Sequence, residues 1–120
     1  MIIKEDILND ADIEIFVRLQ YSLLLNDEFT KIKFAHLDLE SHFPRIIGFW
    51  KMIIFSQPMS YTGNAFDPHT KLNLEKIHFE KWNQFLEESI KTNFEGPNAQ
   101  KVLDHAKLMT AIFQSKLGIK

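Results

Sequence analysis

The chain has five histidines and no cysteine, so any metal or nucleophile chemistry must run through nitrogen and oxygen. One histidine is placed unusually. His69 closes the segment Tyr61-Thr62-Gly63-Asn64-Ala65-Phe66-Asp67-Pro68-His69, which is rich in turn formers and lies between two strongly apolar, helix-patterned stretches. Beyond it, Trp82 sits among Phe79, Phe85 and Leu86 at helical spacing. An imidazole on a loop between apolar helices is where a buried cofactor could find an axial ligand. Each residue also has a plainer reading: His69 as a surface loop residue, Trp82 and Tyr21 as core, and His42 as a polar group in a first helical turn.

Other chemistries are excluded by what the sequence lacks. Without cysteine there are no disulfides, thiolate zinc sites, cysteine-ligated iron–sulfur clusters or cysteine nucleophiles. No serine stands on a nucleophile turn, and the four glycines form neither a Walker sequence nor a dinucleotide fingerprint. There is no His-Glu-x-x-His, and the single Glu75-x-x-His78 lacks the second copy that a di-iron bundle requires. The net charge of −2 with scattered basic residues gives no electrostatic footprint for nucleic acid. Met1-Ile2-Ile3-Lys4-Glu5-Asp6 does not read as a signal peptide, and no apolar run approaches membrane-spanning length. A cytoplasmic protein without a membrane or nucleic-acid partner is the expectation.

The elements that must position these residues are helical. A length of 120 residues with 45% apolar content suits one domain over residues 1–120, and eleven phenylalanines make its apolar material flat and aromatic. Ile13, Phe16, Val17, Leu19, Leu23 and Leu24 mark a helix from Asp12 to Asn26, capped by Asn9 or Asp12. A short helical piece follows around Phe29 to Phe34. Pro44, comfortable only in a first turn, places the start of the next helix near Ser41, and its apolar residues to Phe55 cover most of its circumference. Ser56 to Lys71 has no periodicity and reads as a functional or disordered loop. A third long helix spans about Glu75 to Phe94, stopped by Glu95-Gly96-Pro97, and Asn98 caps a last helix carrying Val102, Ala106, Met109, Ile112, Phe113 and Leu117. With no convincing strand, the fold class is all-α. His36, His78 and His105 are expected to be surface or interface histidines. The lack of long exposed apolar stripes makes a monomer the expectation.

Taken together in order, the candidate residues resemble the group III truncated haemoglobins. The likeness is carried by Tyr21 before Leu23-Leu24-Leu25-Asn26-Asp27 and by His42 ahead of Phe49-Trp50. It continues through Tyr61-x-Gly63-Asn64 leading to His69, His78-Phe79-x-x-Trp82-x-x-Phe85, Phe94-Glu95-Gly96 and Ala106, across about residues 6 to 117. Other groups carry glycine pairs near the short proximal helix, whereas this chain has only Gly63 there, as the group III pattern allows.

The resemblance implies a truncated two-over-two globin-like helical sandwich holding haem b iron. His69 would be the proximal ligand, Tyr21 and Trp82 the distal hydrogen-bond donors, and His42 the distal-helix histidine near the entrance. Arg45 would pair with a propionate, and Phe34, Ile46, Phe49, Trp50, Leu72, Phe79 and Met109 would line the apolar walls. The implied ligands are O2, NO or peroxide at a five-coordinate iron. Two distal donors imply slow oxygen release, which suits NO dioxygenation or peroxide reduction fed by an external reductase better than oxygen delivery. The alternative is a haem-free sensor or interaction module that keeps the globin fold and fills its pocket by packing.

Overall fold

The computed structural model describes residues 4–35, 38–55 and 74–118. Within them lie five helices: α1 (Asp10–Asn26), α2 (Lys31–Phe34), α3 (Leu39–Phe55), α4 (Lys76–Asn93) and α5 (Pro97–Lys116). No strand occurs among the described residues. His69 and Leu72, with the Tyr61-x-Gly63-Asn64 motif, lie outside the described residues.

Helix α1 starts where Asn9 supplies a cap. Its Oδ1 accepts from the Asp12 backbone N–H at 3.0 Å, and the Asp12 carboxylate accepts from the Leu8 N–H at 2.8 Å, so two otherwise orphaned donors are satisfied. The buried stripe of α1 is Ile13, Phe16, Val17, Gln20, Tyr21 and Leu24. Helix α3 begins at Leu39, ahead of the expected start at Ser41, with the His42 N–H bonded to the Asp38 carbonyl at 3.0 Å. Pro44 therefore lies inside α3 rather than in its first turn. There its missing donor leaves one ladder bond unmade, on a side of the helix that faces solvent.

The four long helices form two layers of two. Helix α1 packs on α3 in one layer and α4 on α5 in the other, while α1 against α4 and α3 against α5 join the layers. This is the two-over-two sandwich expected from the sequence. Its core is aromatic, with Phe16, Phe34, Trp50 and Phe79 almost completely removed from water.

The start of α5 departs from the sequence reading. Asn98 is not the cap: Gly96 holds that position with φ +145°, followed by Pro97 in the first turn. The carboxylate that satisfies the helix start comes from the other end of the chain. Asp6 accepts from the Asn98 N–H and the Ala99 N–H, both at 2.9 Å, while Asn98 Nδ2 donates to the Ile7 carbonyl at 2.8 Å. Gly96 is required for this approach, because a Cβ there would stand 2.6 Å from the Asp6 Cγ. The Glu95 N–H bonds to the Glu5 carbonyl at 3.0 Å, and the buried Ile7 seats the N-terminal segment on the core.

Replacing Asp6 with alanine should therefore cost about 2 kcal/mol, the loss of a charge-assisted helix cap. Denaturant unfolding of Asp6→Ala checks this; a stability equal to the parent's would show that the N-terminal segment does not hold α5.

Candidate functional site

Tyr21 is the centre of the first group of candidate residues. It is 3% exposed on the buried stripe of α1 and meets Phe34, His42 and Phe43 edge-on, at ring separations of 5.9, 6.0 and 5.8 Å. These distances are typical of favourable T-shaped pairs. His42, half-buried at the start of α3, is thus brought against Tyr21. The Arg18 guanidinium covers the far side of Phe43 at 4.7 Å and is held by Glu14 and Glu40 at 3.1 and 3.3 Å.

Burial pushes the Tyr21 hydroxyl up to about 12, and a hydrogen-bonding interaction with the Trp82 side chain pulls it the other way. Tyr21 is consequently a protonated donor throughout the physiological range. Trp82 reaches this place from α4 and is 7% exposed. Although it lies beside Tyr21, its indole N–H makes no well-formed hydrogen bond to any described residue. A buried donor left wholly unpaired costs about 1–3 kcal/mol, and the contact with the Tyr21 hydroxyl offsets part of that. Gln20 Oε1 and Asn83 Oδ1 are the other buried side-chain atoms without a partner among the described residues, and all three belong to the surroundings of Trp82.

Helix α3 sorts the expected wall residues into two rows. His42, Ile46, Phe49 and Ile53 recur at helical spacing and are all half-buried, whereas Phe43, Trp50 and Ile54 on the adjacent row are fully buried. Trp50, 1% exposed, packs edge-on against Phe16 at 6.2 Å and Phe49 at 5.1 Å, as part of the core between the layers. His105 from α5 closes on Phe49 at 5.9 Å and Trp50 at 6.4 Å, and burial lowers its pKa. Arg45 is exposed on α3.

A cleft that Trp82 also lines brings Phe79, Trp82 and Met109 together with Leu74, His78, Thr110 and Phe113. The last four were not identified from the sequence as site residues. His78 is 6% exposed, and its Nδ1 accepts from the Glu75 backbone N–H at 2.8 Å. The Glu75-x-x-His78 spacing is therefore the signature of a helix start, with the third helical residue reaching back to the cap. No group of three or more His, Asp or Glu able to hold a metal ion occurs among the described residues.

The geometry has a counterpart among solved structures. A crystal structure of group III truncated hemoglobin from Campylobacter jejuni matches with a TM-score of 0.83, covering 96% of this chain and 95% of that one at 21% sequence identity. The chain has the truncated-haemoglobin fold. No family model matches the sequence, and no curated protein does. The truncated-haemoglobin fold agrees with the resemblance read from Tyr21, His42 and Trp82, and with the layering of α1 and α3 over α4 and α5. None of the described helices is long and apolar enough to cross a membrane.

The raised Tyr21 pKa has a consequence at high pH. The unfolded chain ionises this phenol near 10, the folded one near 12, so stability present below pH 10 is lost as pH rises to about 12. The loss attributable to Tyr21 is about 3 kcal/mol at 1.36 kcal/mol per unit. Unfolding curves across that window should be flatter with pH in Tyr21→Phe; identical slopes in the two proteins would place the Tyr21 hydroxyl in water.

Proposed function

We propose that the chain is a haem protein that binds O2 and other small diatomic ligands, with His69 as the proximal ligand and Tyr21 and Trp82 as donors on the opposite side. The observation that carries this reading is the Trp82 indole N–H, buried beside the Tyr21 hydroxyl without a well-formed hydrogen bond to any described residue. A packing module would gain by filling that place with an apolar side chain, since an unmet buried donor is a pure cost. A site that receives a polar ligand turns the same donor into binding energy.

The described residues fit a haem in two respects. The half-buried row His42, Ile46, Phe49 and Ile53 offers a flat macrocycle apolar surface that the core itself does not cover. Phe79 and Met109, gathered with Trp82, offer more. Phe34, Ile46, Phe49, Leu72, Phe79 and Met109 would hold the ring, with Trp50 backing Phe49 from the core and Arg45 at a propionate. The cofactor is haem b in this reading, since the chain has no cysteine for covalent attachment. Haem held through His69 would supply diatomic-ligand binding and redox chemistry.

The protein's own part is electrostatic. Trp82 Nε1–H and Tyr21 O–H would serve as donors to a small polar ligand, in a site where low dielectric strengthens each bond. Tyr21 stays protonated because it is dry, and stays aimed because Phe34, His42 and Phe43 surround its ring. His42, touching Tyr21, is placed to sense or gate entry. Two donors retard ligand loss, which favours O2, NO or peroxide redox chemistry over delivery, and turnover then takes electrons from an external reductase. The chain works as a monomer.

Removing one such donor should speed oxygen dissociation by about one to two decades, equivalent to about 1.5–3 kcal/mol. Stopped-flow measurement on the ferrous protein and its Trp82→Phe variant tests this, and an unchanged rate would remove Trp82 from the site. His69→Ala should abolish the haem absorption of the purified protein; an undiminished band would assign the proximal ligand elsewhere.

A further inference from the structure

Gln20, 0% exposed, is a polar side chain buried where α1 meets α4, and the proposed ligand contacts do not involve it. Its carboxamide Nε2 donates across the α1–α4 interface to the backbone carbonyl of Trp82 at 3.1 Å. The two ends of this bond are telling. The donor is the residue next to Tyr21 in sequence, and the acceptor belongs to Trp82 itself. One hydrogen bond therefore ties together the backbone positions from which the two distal side chains extend.

Stability alone does not account for glutamine at this position. Gln20 lies one turn from Phe16 and one turn from Leu24 on the buried stripe of α1, where an apolar side chain would pack equally well. Its Oε1 has no partner among the described residues, so the carboxamide is half satisfied at best. A helix carbonyl already serves its own ladder, and the Gln20 bond uses its second lone pair. From the other side, Asn83 Nδ2 donates to Thr110 Oγ1 at 2.8 Å, which fixes the next residue of α4 to α5. The Trp82 segment is thus held from both neighbouring helices by polar side chains.

We infer that Gln20 is a positioning residue that sets the separation and orientation of the Tyr21 and Trp82 donors. The inference rests on the proposed role of that pair. Helices packed through apolar contacts alone can slide by fractions of an ångström, and a directional bond removes that freedom where two donors must converge on one small ligand.

Gln20→Met keeps the shape and deletes the bond. In the full chain with haemin added, oxygen dissociation should quicken by about tenfold, part of what loss of the indole itself produces. In the same chain before haemin is added, the Trp82 indole N–H resonance, assigned with Trp82→Phe, should shift or broaden. Ile13→Val, a buried α1 change two turns from Tyr21, should lower stability while moving neither readout. Gln20→Glu provides the rescue: its buried carboxyl stays protonated at low pH and can donate to the Trp82 carbonyl, then loses that ability when it ionises. Its oxygen dissociation and indole signal should match the parent at low pH and the methionine variant at high pH. Wild-type values of both readouts in Gln20→Met, equal changes in Ile13→Val, or a pH-independent Gln20→Glu would each overturn the inference. If the parent chain takes up no haemin, the haem reading fails, and the indole resonance still decides the role of Gln20.

Discussion

The Trp82 indole N–H is buried beside the Tyr21 hydroxyl without a well-formed hydrogen bond to any described residue, a cost that the surrounding structure has to carry. It sits where the two layers of the sandwich meet, held by α4 against α1. Around it the arrangement is consistent. Tyr21 is kept neutral by its dry surroundings, its ring is enclosed by three aromatic neighbours, and Gln20 joins the backbone of one donor-bearing segment to the other. The apolar core supplies the stability against which this polar arrangement is maintained.

The fold serves that junction by holding helices in fixed register. The contact between α1 and α4 sets where Tyr21 meets Trp82, and the contact between α3 and α5, built on Phe49, Trp50 and His105, sets where the half-buried row of α3 lies. The N-terminal segment acts at a distance from both. By capping α5 through Asp6 and docking Ile7 in the core, it fixes the turn that joins α4 to α5 and with it the lower layer.

Much of this was legible in the sequence, for physical reasons that differ residue by residue. The helices followed from apolar spacing, and Asn9 followed from cap chemistry, because both are local. The Asp6 cap was not legible, since it joins residues 92 and 93 positions apart and a nearby Asn98 offered a plausible local substitute. Pro44 misplaced the start of α3 because proline's preference for first turns is a tendency, and here the helix begins earlier and tolerates it. Glu75-x-x-His78 has the spacing of a metal motif and also that of a helix start, and the structure uses it as the latter. Gln20 could have been found from its position on the stripe between Phe16 and Leu24, where a polar residue demands explanation. Tyr21, Trp82, Phe34 and His42 were identified by resemblance and are drawn to one place, while Trp50, expected at the wall, belongs to the core behind Phe49. His69 and Leu72 lie outside the described residues.

The central claim is that the polar junction exists to face a ligand held by haem, and its most direct test is a spectroscopic titration of the purified full-length chain with haemin. The account predicts saturable one-to-one uptake with a sharp Soret band, and a reduced form whose spectrum changes on adding carbon monoxide. Uptake that never saturates, or a spectrum indistinguishable from free haemin, would contradict it.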